Sequence, residues 1–131
     1  MSRPDSGNAG GWLTYARSDL ALAELSHPSG VLLESLCFHA QQAAEKAIKA
    51  VLIANGIRPA HTHDIDVLIA ALENVIDVPA GVRAAGVLAQ YAVLSRYPGD
   101  FGEVDEDEWR TSAKQARLAV EWAAGVIDTS L

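Results

Sequence analysis

A chain of 131 residues, half of them apolar, is the size of one domain and can bury a core without disulfides or metal ions. Its single cysteine, Cys37, excludes an intramolecular disulfide and favours a reducing compartment, so we expect a cytoplasmic protein. The formal charge of −7 argues against nucleic-acid binding through a broad basic face, so any contact with phosphate must be confined to a small pocket.

The chain is predicted to contain a flexible N-terminus over residues 1–11, which are polar and unperiodic, and one helical domain over residues 12–131. No segment alternates as a strand does, and no apolar run is long enough to cross a membrane, so no membrane contact is expected. The predicted fold class is all-α, an up-and-down helical bundle of about five helices. These helices are predicted over residues 11–26, 30–55, 62–75, 79–97 and 106–127.

The second predicted helix divides into two arcs on a helical wheel. One arc is apolar and rich in alanine, which allows neighbouring helices to approach closely. The other arc is polar but has an aromatic residue, Phe38, at its centre. Either this arc faces water and Phe38 is an incidental surface residue, or another segment or subunit covers it. The polar arc comprises Ser35, His39, Gln41, Gln42, Glu45, Lys46 and Lys49.

The fifth predicted helix shows heptad-like spacing, which predicts nearly antiparallel packing against another helix. Trp122 lies on a second apolar face of this helix, so the helix either has neighbours on two sides or forms a dimer contact. Phe38 and Trp122 are therefore the predicted interface residues. The heptad-like positions are Trp109, Ala113, Ala116, Val120, Ala123 and Ile127.

At four places the sequence resembles a known family. The string FHAQQAAEKAIKA at residues 38–50 is similar to the signature helix of the prokaryotic HEPN domain family. The tripeptides Thr62-His63-Asp64 and Arg96-Tyr97-Pro98 follow in the family's order, and Ala16-Arg17-Ser18-Asp19-Leu20 agrees with its first helix. The resemblance covers nearly the whole chain, from about Trp12 to Trp122.

The resemblance implies a helical bundle that usually forms a homodimer. Family members often stand beside a minimal nucleotidyltransferase protein in toxin–antitoxin pairs. Many are metal-independent ribonucleases, whose active site is an arginine followed four to six residues later by a histidine. Others lack that motif and are thought to bind nucleotides or to act as partner subunits.

This sequence departs from the ribonuclease motif. Arg96 stands at the family-like position of the catalytic arginine, but residues 97–103 contain no histidine. A formal match joins Arg58 to His63 with four residues between them, in the loop before the third helix. The catalytic candidates are therefore His63 and Arg96, and whether the protein is an enzyme stays open.

The predicted nucleotide- or RNA-binding residues would together make a local basic pocket. Arg96 suits bidentate phosphate binding and Tyr97 suits stacking on a base, while a helix beginning near His63 would attract phosphate. His61 and His63 are too few ligands for a metal site, and no cofactor is expected. The predicted binding residues are His39, Gln42, Lys46, Lys49, His63, Asp64, Arg96 and Tyr97.

Three functions follow as hypotheses. The first is a nucleotide- or RNA-binding regulatory subunit paired with a minimal nucleotidyltransferase. The second is a metal-independent endoribonuclease toxin, which would use a neutral histidine as base and an arginine to stabilise charge on phosphate. The third is a purely structural interaction module that contacts its partner through Phe38 and Trp122.

Overall fold

The computed structural model of the protein describes residues 8–94 and 103–129. Within these residues the secondary structure is entirely helical, which confirms the predicted all-α bundle. None of the described helices is both long enough and apolar enough to cross a bilayer. The helices are α1 (Ala9–Ala23), α2 (Leu33–Ala54), α3 (Ile65–Glu73), α4 (Ala80–Arg83), a 3₁₀ helix (Ala84–Ala89), α5 (Gln90–Leu94) and α6 (Glu106–Thr129).

Local capping and turn residues set where the helices begin. Helix α1 begins at Ala9, two residues before the predicted start, because the Asn8 side chain accepts a hydrogen bond from the Gly11 amide at 2.9 Å. Helix α2 begins three residues later than predicted. Gly30 has φ +80°, a left-handed conformation that belongs to a turn and cannot continue into an α-helix.

The fourth predicted helix is instead three short segments, α4, the 3₁₀ helix and α5. The 3₁₀ helix packs closely on α3 through Gly86. A Cβ atom at this position would lie only 1.9 Å from Oδ1 of Asp66. The tight approach to another helix is a tertiary contact, so the local pattern of residues 79–97 could not reveal it. The last residues of that predicted helix lie outside the described part of the chain.

Helix α2 is the centre of the bundle and packs against both α1 and α6. Its predicted apolar arc is buried from Leu36 onward, whereas Leu32 precedes the first turn and is 62% exposed. The alanines of α2 permit close packing because they add little bulk between helix axes. Those that are completely buried are Ala40, Ala43, Ala44, Ala47 and Ala50.

Helix α6 buries all six residues of its heptad-like stripe, as the spacing predicts. Trp109 also joins two helices, because its indole Nε1 donates a hydrogen bond of 2.8 Å to the carbonyl of Ala23 at the end of α1. Trp122, predicted as an interface residue, is half-buried and packs against the core. Leu118, one turn earlier, is 42% exposed.

Candidate functional site

The polar arc of α2 is covered by other parts of the same chain. Gln41, Glu45 and Lys49 are buried, with at most 8% of their surface exposed. Helix α1 lies over one side of the arc, and the loop between α2 and α3 lies over the other, as the contacts below show. We call these side chains and their partners the polar cluster: Trp12, Tyr15, Asp19, His39, Gln41, Gln42, Glu45, Lys46, Lys49 and His63.

One half of the polar cluster is centred on Asp19 of α1. Its Oδ1 lies 3.0 Å from Nδ1 of His39, and its Oδ2 accepts a hydrogen bond of 2.6 Å from Nζ of Lys46. The side chains of Asp19, Lys46 and His39 are 12%, 22% and 33% exposed. The three therefore form a partly buried, charge-assisted network that joins α1 to α2 and reaches the surface at the imidazole.

Two aromatic rings of α1 lie beside the lysines of α2. Nζ of Lys46 is 5.9 Å from the centre of the Tyr15 ring, and Nζ of Lys49 is 5.4 Å from that of Trp12. Both distances fall in the range of cation–π attraction. Tyr15 is 42% exposed, so a flat aromatic surface lies open next to the Asp19 network. The indole nitrogen of Trp12 is buried, with no hydrogen-bond partner among the described residues.

The other half of the polar cluster is centred on Glu45, which is 4% exposed in its side chain. One carboxylate oxygen accepts from Nε2 of Gln41 at 2.7 Å and lies 2.9 Å from Nδ1 of His63. The other oxygen accepts from Nζ of Lys49 at 3.0 Å. Three partners thus satisfy a carboxylate that would be costly to bury alone. His63 ties the loop before α3 to this point of α2.

The half centred on Glu45 extends along α2 through the side chains of Gln41 and Gln42. Nε2 of Gln42 donates to Oε1 of Gln41 at 2.6 Å, which continues the network across the helix face. Gln42 is itself only half-buried, so its amide is also open to solvent.

Both histidines turn Nδ1 toward a carboxylate. An ionised carboxylate only accepts hydrogen bonds, so the Nδ1 atoms of His39 and His63 carry the proton beside Asp19 and Glu45. In the neutral ring Nε2 is then an acceptor. The side chain of His63 is 54% exposed, so its ring is accessible from outside the bundle. A carboxylate-oriented imidazole of this kind suits hydrogen bonding or proton transfer.

The polar cluster is not the basic pocket that the sequence predicts. Lys46 and Lys49 are each paired with a carboxylate, Asp19 and Glu45, so the four charges cancel. The wheel of α2 alone shows Glu45 beside Lys49 but cannot show Asp19, which comes from α1. The lysine side chains are held in place by these contacts and are not free surface cations.

The remaining predicted site residues lie outside the polar cluster or outside the described part of the chain. Asp64 caps α3, because one of its carboxylate oxygens accepts hydrogen bonds from the amides of both Asp66 and Val67. Phe38 is half-buried, with its ring edge-on to the ring of His39 at 5.5 Å. Arg96 and Tyr97 lie outside the described residues.

Sequence reasoning did not assign Trp12, Tyr15 or Asp19 to the site. A signal for them existed, because residues 12, 15 and 19 are spaced to share one face of α1. That face borders the apolar stripe of Leu13, Ala16 and Leu20, which turns it toward α2. Gln41 and Glu45 were on the polar arc, but their burial was not predicted.

A second group of polar side chains lies between α2, α5 and α6. The hydroxyl of Tyr91 donates to Glu108, and the hydroxyl of Ser112 donates to the Glu108 carbonyl at 2.9 Å. Burial raises the pKa of the neighbouring Cys37 thiol to about 11, and burial also raises the pKa of Tyr91. Cys37 is therefore protonated at neutral pH and is a poor nucleophile.

These shifts predict a loss of stability in alkali. The folded-state pKa of Cys37 lies near 11, above its ordinary 9.0, so the unfolded chain loses this proton first. Stability is intact below about pH 9 and falls as the pH rises toward about 11. We expect Cys37→Ala to make that decline shallower, measured as free energy of unfolding in urea at several pH values. If the free energy of unfolding falls equally with pH in both proteins, Cys37 is not the source of the alkaline loss of stability.

Among the described residues, no group of three or more histidine, cysteine, aspartate or glutamate side chains is placed to hold a metal ion.

Comparison with known proteins places this chain in a family. The HEPN domain model matches residues 9–127, which is most of the chain. The chain therefore belongs to the HEPN domain family. A crystal structure of ST0689, described as an archaeal HEPN homologue, has a TM-score of 0.71 and 28% identity, and the match covers 92% of this chain and 98% of that one.

A second solved structure, TT1696 from Thermus thermophilus, has a TM-score of 0.70 and 33% identity, and the match covers 94% of this chain and 98% of that one. No curated protein matches the chain. The two structural relatives are of nearly the same length, so the likeness extends over the whole bundle.

Proposed function

We propose that this HEPN protein is a nucleotide- or RNA-binding regulatory subunit that does not cleave its ligand. The observation that supports the proposal best is the polar cluster itself. Five residues predicted as binding residues lie in it. His39 and Lys46 both contact Asp19, while Gln42, Lys49 and His63 belong to a second network on the same face of α2, centred on Gln41 and Glu45. A small, polar, partly open face is what an acidic protein needs for phosphate contact.

The chemistry of the exposed edge suits a nucleotide. Lys46 uses one ammonium proton on Asp19 and has further donors, and the side chain of His39 is 33% exposed. Tyr15 offers an exposed ring on which a base can stack. A ligand with its phosphate at Lys46 and His39 and its base on Tyr15 would lie along α1.

Binding is favoured over cleavage by the chain's departure from the ribonuclease motif. Residues 97–103 provide no histidine after Arg96. The alternative pair lies in the loop before α3, where Arg58 is exposed and His63 already turns its Nδ1 to Glu45.

A metal-independent endoribonuclease is the second candidate, and one observation favours it. Glu45 orients the ring of His63, and the His63 side chain is 54% exposed. A general base needs both a fixed orientation and access to the substrate. Incubation with a fluorescent RNA in the presence of a chelator separates the two functions. Cleavage that disappears in His63→Ala but persists in His61→Ala would replace the binding proposal with this one.

The partners in the proposal come from the family resemblance. We propose a homodimer that associates with a minimal nucleotidyltransferase protein in a toxin–antitoxin-type pair. Phe38 and Trp122 are both half-buried, so each has a side that a second chain can cover. If Phe38→Ala changes the oligomeric state while no nucleotide binds, the interaction-module hypothesis is the better one.

The binding experiment is a calorimetric titration of the purified protein with AMP, ATP and a short RNA. We expect Lys46→Gln to weaken binding by about tenfold or more, since hydrogen bonds to charged groups contribute about 1.5–3 kcal/mol. Lys114→Gln is the matched control, because Lys114 is exposed on α6 and its substitution removes the same charge.

If the folded protein gives no heat of binding with any of the three ligands, the proposed binding of nucleotide or RNA is contradicted. Equal weakening by Lys46→Gln and Lys114→Gln would show that only the overall charge matters and that the polar cluster is not the site.

A further inference from the structure

Two side chains assigned to phosphate binding, Lys46 and His39, already hold an anion of the chain itself. Asp19 uses both carboxylate oxygens, one on His39 at 3.0 Å and one on Lys46 at 2.6 Å. Both partners lie on α2, while Asp19 lies on α1. The carboxylate therefore bridges two cation-forming side chains from outside their helix, in the way that two oxygens of a phosphate group would.

We propose that Asp19 is an intramolecular competitor of the ligand's phosphate. A phosphate oxyanion, whether of a free nucleotide or of an RNA end, takes the place of the Asp19 carboxylate at His39 and Lys46. Asp19 then sets the affinity of the site. This inference rests on the proposed function, because it concerns the same two side chains.

The contrast with Glu45 supports exchange at Asp19. Glu45 is 4% exposed, has three partners and pairs with Lys49 on its own helix, at 11% exposure. That ion pair is enclosed, so opening it would leave buried charges unpaired. Asp19 is itself only 12% exposed, but its partners Lys46 and His39 are 22% and 33% exposed, so water can reach both partners while the exchange takes place.

The surroundings of Lys46 favour the same conclusion. Its ammonium group lies 5.9 Å from the centre of the Tyr15 ring, so the cation keeps a favourable contact after Asp19 leaves. Tyr15 and Asp19 are four residues apart on α1. An arriving nucleotide would thus meet the ring and the exchanged carboxylate on the same face of that helix.

Displacement also has a structural consequence. The Asp19 contacts join α1 to α2, so a ligand that replaces them loosens one attachment of α1. By thermodynamic linkage, the two effects are equal in free energy. Removal of the Asp19 charge strengthens ligand binding by the same amount that a bound ligand reduces the stabilisation from the Asp19 contacts.

The test is titration of the wild-type chain and of Asp19→Asn with inorganic phosphate, AMP and a 5′-phosphorylated RNA. We expect Asp19→Asn to bind at least one of these probes about tenfold more tightly, because Lys46, once released, gains a charge-assisted hydrogen bond to the phosphate. The gain should disappear in Asp19→Asn/Lys46→Gln. Asp77→Asn is the control, because Asp77 is exposed in the loop before α4 and its substitution changes the net charge equally.

The probes distinguish the source of the phosphate. A gain with AMP and RNA but not with inorganic phosphate means that Tyr15 or its neighbours also contact the nucleoside. Equal gains with all three mean that the phosphate alone is recognised. Either result supports competition by Asp19.

Equal or weaker binding by Asp19→Asn would overturn the inference while leaving the proposed function intact if the wild type binds. Binding by Asp19→Asn alone would support the inference and contradict constitutive ligand binding by the wild type. Absence of binding in both proteins would overturn both proposals. Should Asp19→Asn fail to fold, by circular dichroism, Asp19→Ser is the second variant for the same comparison.

Discussion

Replacement of Glu45 by alanine is expected to destabilise the fold by about 3–5 kcal/mol, the cost of breaking a buried ion pair by removing one partner. The carboxylate is 4% exposed and accepts from Gln41, His63 and Lys49. Without it, the ammonium of Lys49 remains 11% exposed with its carboxylate partner removed. Urea unfolding followed by circular dichroism measures the change.

Glu121→Ala is the matched control for Glu45→Ala. Glu121 also pairs with a cation four residues away, Arg117 at 3.3 Å, but its side chain is 60% exposed. The control should cost less than about 1 kcal/mol, because solvent screens exposed pairs. Similar losses for both variants would mean that the Glu45 network does not support the bundle.

Leu52→Ala is expected to cost about 2–5 kcal/mol, which combines lost burial with the cavity left behind. Leu52 is fully buried near the end of α2. Because α2 is surrounded by α1, α3 and α6, its neighbours cannot all move to fill the space. The midpoint of urea unfolding should fall accordingly.

Leu22→Ala is the control. It tests whether the stability loss in Leu52→Ala arises from the burial of Leu52 on the central helix. Leu22 lies on α1 and is 40% exposed, so Leu22→Ala should cost clearly less than Leu52→Ala. A loss as large as that of Leu52→Ala would contradict the description of α2 as the enclosed centre of the bundle.

Helix positions were largely predictable because they depend on local signals. Asp64 caps α3 where the Thr-His-Asp sequence indicates a helix start, and the spacing from Trp109 to Ile127 predicts the buried stripe of α6. The region of residues 79–97 was not predictable in this way. Within it Gly86 approaches Asp66 of α3 closely, and the two residues are twenty positions apart in the chain.

The α2 members of the polar cluster could be grouped from the sequence, but the electrostatics of the cluster could not. His39, Gln42, Lys46 and Lys49 share one arc of a helix, which follows from helical geometry alone. Their charge state depends on a partner from another helix. A buried lysine and an exposed lysine look the same on a wheel.

By itself, then, the sequence determined an all-α bundle of the HEPN family and the helix face that carries its polar residues. Periodicity, capping residues and the motif at residues 38–50 are local properties, so they are readable from one chain. Only the tertiary structure decided that Asp19 and His63 approach that face and that Asp19 neutralises Lys46. The physical reason is that pairing and burial depend on distances between helices, which no spacing along a single helix contains.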